Sequence, residues 1–86
     1  MQAYAVRVNL SGADLTNAVL DRVDFSSSNL SNAKFVNAII TGVTFTDADL
    51  TDAVFEDALI GKEDAKRLCS NKTLLGEGRL QVGCRQ

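Results

Sequence analysis

Asn29-Leu30-Ser31-Asn32-Ala33-Lys34-Phe35-Val36-Asn37-Ala38 has a counterpart twenty residues earlier, Asn9-Leu10-Ser11-Gly12-Ala13-Asp14-Leu15-Thr16-Asn17-Ala18. It has another twenty residues later, Asp49-Leu50-Thr51-Asp52-Ala53-Val54-Phe55-Glu56-Asp57-Ala58. Within each copy runs a shorter period. Every fifth residue is large and apolar, in the series Leu10, Leu15, Leu20, Phe25, Leu30, Phe35, Ile40, Phe45, Leu50, Phe55 and Ile60. Two positions before each stands a small or β-branched residue: Val8, Ala13, Ala18, Val23, Ser28, Ala33, Ala38, Val43, Ala48, Ala53 and Ala58, of which only Ser28 is polar.

An apolar pair spaced by two fits one face of an extended segment, whereas a period of five fits neither a helix nor a continuous strand. The chain must therefore turn between pairs. The intervening positions, such as Ser11-Gly12, Thr16-Asn17, Ser31-Asn32, Thr41-Gly42 and Thr51-Asp52, are rich in residues that form turns by side-chain hydrogen bonding or by tolerating positive φ. Each pentad is then one short side and a corner. Val23 with Val43, and Val19 with Ile39 and Leu59, recur only at twenty, so four sides make one coil. Stacked coils lie about 4.7–4.9 Å apart, which places Leu10 over Leu30 over Leu50, Leu15 over Phe35 over Phe55, Leu20 over Ile40 over Ile60, and Phe25 over Phe45. A lumen shared by two inward side chains per side accounts for the Ala positions, and a packed lumen leaves no substrate pocket.

Ala13-Asp14-Leu15, Ser28-Asn29-Leu30 and Ala48-Asp49-Leu50 resemble the pentapeptide repeat family, whose pattern is Ala, then Asp or Asn, then Leu, then two variable positions. The resemblance spans Val8 to Ile60 and implies an all-β fold, a right-handed quadrilateral β-helix of about three coils. Val19, Ile39, Val54 and Leu59 depart from the pattern at its Asp/Asn position.

Eighty-six residues make one domain with a small core. It divides into a solenoid over 1–61 and a cap and tail over 62–86. Histidine is absent, which removes the commonest general base and every histidine-dependent triad or zinc pattern. No cofactor is expected. No run approaches the roughly 18 consecutive apolar residues of a membrane helix, and the residues after Met1 do not form a basic start followed by an apolar run. No membrane insertion is expected. Up to Ile60 acids outnumber bases; after it Lys62, Lys66, Arg67, Lys72, Arg79 and Arg85 outnumber Glu63, Asp64 and Glu77. An acidic body lacks the clustered cations that phosphate contacts need, so no nucleic-acid partner is expected.

After Gly61 the pentads stop. Ala65, Leu68 and Cys69 have the spacing of one face of a short helix, a suitable cap for an open solenoid end. Leu74, Leu75, Leu80 and Val82 are expected to fold back over the last coil, and Gly76-Glu77-Gly78 to form a turn. Cys69 and Cys84, the only cysteines, lie outside the repeat. An oxidising compartment would pair them structurally, a reducing one would leave two thiols, and a redox-regulatory pair is the third reading. The tail from Lys62 through Cys84 resembles that of pentapeptide repeat proteins of the chloroplast thylakoid lumen and their cyanobacterial relatives. That resemblance implies a thylakoid-lumen or periplasm-like location, a Cys69–Cys84 disulfide and a targeting segment removed before this start. The first coil's edge looks bare, covered either by a preceding segment or by a second chain, so the oligomeric expectation is a monomer or a weak end-to-end dimer.

Two surface features carry functional readings. The outward column Val19, Ile39 and Leu59, with Val36 and Val54 near it, is apolar where solvent-facing positions are usually polar; it is covered by the tail's own Leu residues, by a segment preceding this start, or by a protein partner. The acidic group Asp47, Asp49, Asp52, Glu56 and Asp57 is turn chemistry on a solvated face; its sharper readings are a calcium site and, by resemblance to quinolone-resistance pentapeptide proteins, a DNA mimic. Carboxylate catalysis would need burial or a cleft, and these positions project outward. Asn71-Lys72-Thr73 has the spacing of a glycosylation acceptor. The expected function is a non-enzymatic structural or protein-interaction scaffold, with an acidic DNA-mimic inhibitor of a DNA-binding enzyme as the alternative.

Overall fold

A computed structural model describes residues 3–84. Along residues 7–57 every fifth residue has positive φ: Arg7, Gly12, Asn17, Arg22, Ser27, Asn32, Asn37, Gly42, Asp47, Asp52 and Asp57. This is the third residue of a β-turn that starts at each large apolar residue, and positive φ there defines a type II-like corner. Asn, Asp and Gly, which tolerate the left-handed region best, fill all but three of these positions. The corner closes with a hydrogen bond from the fourth residue's N–H to the first residue's carbonyl, as in Ala13 to Leu10 and Ala33 to Leu30 (3.0 and 3.1 Å).

Between corners the chain pairs in parallel with itself twenty residues on. Short strands β1 (Ala3–Tyr4) and β3 (Val23–Asp24) form one pair; β2 (Val19–Asp21), β4 (Ile39–Thr41) and β5 (Leu59–Ile60) form another sheet, with Val19 opposite Ile39 and Ile39 opposite Leu59. Single bridges Asn9–Asn29–Asp49 and Asp14–Lys34–Val54 continue the same twenty-residue register on the remaining sides. The result is a β-solenoid. Its rungs are held by bonds such as Leu10 N–H to the Asn29 carbonyl (2.8 Å) and Asn29 N–H to the Val8 carbonyl (2.9 Å).

The sheet of β2, β4 and β5 owes its longer strands to its corners. Corners that close on Ala carry the turn bond, whereas those ending on Val23 and Val43 are open bends that let the extended segment run on through Asp21 and Thr41. Two γ-carbons stiffen Val at χ1 and favour extended backbone, which fits this difference.

The lumen is filled by stacked columns. Leu30, Phe35, Ile40, Leu50 and Phe55 are fully buried. Phe35 and Phe55 stack with ring centroids 4.8 Å apart, and the edge of Phe45 meets Phe35 at 6.2 Å; such ring geometry adds to simple burial. Ala33 and Ala38 are also sealed from solvent, as a lumen this narrow requires. At the first rung the lumen opens: Ala5, Leu10, Leu15 and Ala18 are only partly buried.

Two helices follow. The first, α1 (Lys62–Cys69), was expected; the second, α2 (Gly76–Val82), replaces the turn expected at Gly76-Glu77-Gly78. Gly78 is where α2 lies closest to the solenoid: a Cβ there would stand 2.5 Å from the Ala53 carbonyl oxygen. Glycine at 78 thus serves close approach, not a turn. The helix ends at Gly83 in the left-handed conformation, with Cys84 N–H on the Arg79 carbonyl. Leu74 is fully buried on the core and Val82 packs at its margin, while Leu75 and Leu80, also expected to fold inward, face solvent.

Candidate functional site

A solenoid's last rung has a whole row of unpaired backbone groups, which invite edge-to-edge association. Here side chains of the tail answer four of the N–H groups, those of Gly42, Val43, Leu50 and Phe55. In the rung below, Arg22 N–H donates to the Thr41 carbonyl; the equivalent Gly42 N–H donates to Asp64 Oδ2 (3.0 Å), and Val43 N–H, freed by the open corner, donates to Asp64 Oδ1 (2.9 Å). Leu30 N–H donates to the Asp49 carbonyl, but Leu50 N–H donates to Thr73 Oγ1 (2.7 Å). Phe35 N–H donates to the Val54 carbonyl, but Phe55 N–H donates to Gln81 Oε1 (2.8 Å). Asn71 supplies the complementary donor, its Nδ2 reaching the Ala48 carbonyl (3.0 Å).

Asp64 Oδ2, Thr73 Oγ1 and Gln81 Oε1 each stand where a carbonyl of a further rung would be, and Asp64 Oδ1 takes the N–H that the open corner leaves unbonded. Asp64 is nine-tenths buried or more and is held further by Arg67 at 3.4 Å. Gly61 makes the room, since a Cβ on it would lie 2.6 Å from Asp64 Oδ2. Asn71-Lys72-Thr73 is thus part of the seal: Asn71 Oδ1 accepts from Thr73 N–H (2.8 Å), and both side chains are engaged on the last rung. In the sequence Asp64 is one acid among several, Thr73 belongs to a glycosylation-acceptor spacing, and Gln81 has no distinguishing context. The signal was a buried position on α1, one turn past Gly61 and beside the apolar Leu68.

Cys69 and Cys84 are joined, with S–S 1.97 Å and Cα atoms 5.5 Å apart, tying the end of α1 to the end of α2. Arg79 adds a bond from its guanidinium to the Cys69 carbonyl (2.8 Å). The two helices that carry Asp64 and Gln81 are therefore one clamped unit.

Ser28, the polar residue in the inward series, is buried; its hydroxyl accepts from Val8 N–H (3.1 Å) and donates to the Ala5 carbonyl. It sits inside the first corner, between the two groups that would otherwise bond to each other.

The acidic residues separate into two roles. Asp47, Asp52 and Asp57 are corner residues with positive φ. Asp49, like Asp14 and Asp24, accepts at Oδ1 from the N–H two residues on: Thr51, Thr16 and Ser26 at 3.0, 3.0 and 2.9 Å. The hydroxyls of Thr51, Thr16 and Ser26, and then those N–H groups, hold the three carboxyls below the usual value of 3.8. Among the described residues no three Asp, Glu or Cys side chains converge on a point that could hold a metal. A shallow groove of about 710 Å³ lies between Phe45–Asp49 and Arg67–Thr73, but its Asn71 and Thr73 are already bonded to the rung.

The repeat in the sequence, the corners every five residues and the pairing every twenty bear directly on the comparison with known families. The model of the family described as pentapeptide repeats matches residues 6–42 and 20–57, in eight copies. The chain belongs to the pentapeptide repeat family. No curated protein matches it. In this pentapeptide repeat protein the Asp/Asn position of the pattern has a visible purpose where Ser or Thr follows two residues later, since the pair forms the local turn just described. Where that position is Val19, Ile39 or Leu59 no such bond exists, and the side chain faces outward. These three lie in register across β2, β4 and β5 and are 70%, 39% and 68% exposed. Among the described residues the tail does not cover them. Val36 and Val54 are half-buried and do not extend the ridge.

Proposed function

We propose that this protein is a non-enzymatic scaffold that binds a partner protein through the ridge of Val19, Ile39 and Leu59. One observation carries the reading: the outward positions of β2, β4 and β5 are apolar and exposed in the same register. Three aligned apolar side chains, one strand spacing apart, make a narrow ridge that a partner with an apolar furrow would cover. Asp47, Asp52 and Asp57 are committed to corners and Asp14, Asp24 and Asp49 to local turns, which supports a structural reading of these carboxylates over a catalytic one.

The finer architecture goes with this proposal. Parallel pairing at twenty residues, with four corners in each interval, supports a right-handed quadrilateral β-helix of about three coils. The joined Cys69 and Cys84 support residence in an oxidising compartment, and the resemblance of the tail points to the thylakoid lumen.

The test is capture from extracts with the oxidised chain and its Ile39→Glu variant. The charge should abolish capture of a specific protein while the circular dichroism and thermal midpoint stay unchanged; retained capture overturns the assignment of the face. Inhibition of a topoisomerase by the purified chain would instead favour the acidic DNA-mimic function.

A further inference from the structure

The tail is fastened to the last rung in two parts of unequal strength. Up to Leu74 it is anchored by its own side chains: Asp64 on Gly42 and Val43, Asn71 on Ala48 and Thr73 on Leu50, with Leu68 and Leu74 fully buried in the core. Beyond Gly76, which stands at positive φ, the fastening thins. Within α2 the buried residue is Gly78, which has no side chain to contribute; Leu80 is exposed and Val82 half-buried. Gln81 accepts from Phe55 N–H, and Arg79 reaches back to the Cys69 carbonyl. A helix of seven residues that starts on glycine, holds a second glycine and has no side-chain cap at its start does not keep its shape alone. The Cys69–Cys84 bond is what keeps it on the rung.

We propose that the Cys69–Cys84 disulfide is a redox latch: a dithiol reductant opens it in the folded chain and frees residues 75–84 from the last rung, while the solenoid and the tail up to Leu74 stay in place. Cys84 is buried and Cys69 half-buried, so attack falls on Cys69. One thiolate of the dithiol attacks Cys69 Sγ, the bond to Cys84 breaks, and Cys84 leaves as a thiolate that takes up a proton. The reductant's second thiolate then closes on its own sulfur in the mixed disulfide and releases Cys69, which is protonated in turn; two electrons pass to the protein and the dithiol becomes a disulfide. Release of α2 takes Gln81 from Phe55 N–H and uncovers the Ala53 carbonyl, against which Gly78 is packed. Oxidised, this side of the rung is closed by a helix. Reduced, it is a strand edge with a free donor and a free acceptor, the kind of edge that pairs with other chains. The latch stands whether or not the ridge of Val19, Ile39 and Leu59 binds a partner.

Amide exchange on the full chain, oxidised, then reduced with dithiothreitol, then reoxidised, reads the latch residue by residue. Reduction should speed exchange at Phe55 N–H by about a hundredfold, the loop-closure value for a loop of this size. The N–H groups of Gly42, Val43 and Leu50, held by Asp64 and Thr73, and that of Leu30 inside the stack should keep their protection, and reoxidation should restore that of Phe55. Oxidised Gln81→Ala should speed exchange at Phe55 and spare Leu50, which ties the Phe55 readout to α2. Cys69→Ser with Cys84→Ser should exchange at the reduced rate with or without dithiothreitol. A bond that dithiothreitol leaves closed while the chain is folded overturns the proposal. So does reduction that leaves Phe55 protected, since α2 then docks without the tie. Loss of protection at Phe55, Leu50 and Leu30 together overturns it as well, since α2 then lets go only with the whole fold.

Discussion

Asp64 shows how much one side chain can do at a chain end. Its two oxygens take the N–H groups of Gly42 and Val43 from a buried position. Removing it strands both donors, and a buried unsatisfied group costs about 1–3 kcal/mol. Asp64→Ala should therefore lower stability by about 3 kcal/mol in urea titration, with Asp64→Asn losing less because one oxygen remains. The surface aspartates act differently. Asp14, Asp24 and Asp49 have carboxyls held below 3.8 by the hydroxyl, and then the N–H, of the residue two positions on. A lowered folded value means their contribution is complete above the unfolded value and is lost as pH falls through the folded one. The thermal midpoint should hold steady from neutral pH down toward the usual carboxylate range and fall below it. Asp24→Asn with Asp49→Asn, which keep the turn acceptor, should flatten that acid limb; an unchanged limb would assign the loss to other groups.

At the scale of elements, what the sequence disclosed and what it hid have separate causes. The solenoid was legible because each rung repeats the one before, so a local pattern of five and a register of twenty are printed eleven and three times over. The cap is used once and has no such redundancy. Gly76-Glu77-Gly78 has turn composition, and only contact with Ala53 and the clamp at Cys69–Cys84 make it the start of a helix. Thr73 and Gln81 look like ordinary surface residues until the orphaned N–H groups of Leu50 and Phe55 are placed beside them. Because α2 is short and glycine-containing, it has little helical tendency of its own. Its position depends on the covalent tie. Cys69→Ser with Cys84→Ser should cost about 3 kcal/mol, the chain-entropy value for a loop of this size. The amide of Phe55 should lose exchange protection before that of Leu30; simultaneous loss would mean that α2 docks without the tie.

For the whole molecule, stability should vary along the stack, because in a solenoid each rung touches only its neighbours and a terminal rung has one neighbour fewer. At the far end the cap takes up part of what a further rung would, accepting from Gly42, Val43, Leu50 and Phe55; the described residues place no such cap on the first rung. Leu10, Leu30 and Leu50 share one column and one residue type, so they report position alone. Leu30 and Leu50 are fully buried and Leu10 is not. Leu30→Ala and Leu50→Ala should each cost about 2–5 kcal/mol, as cavity-forming core truncations do. Leu10→Ala, which truncates a half-buried side chain, should cost less than half as much. If Leu10→Ala is as costly as Leu30→Ala, Leu10 is as well packed in solution as Leu30, and the gradient of burial along the column is not a property of the folded chain there.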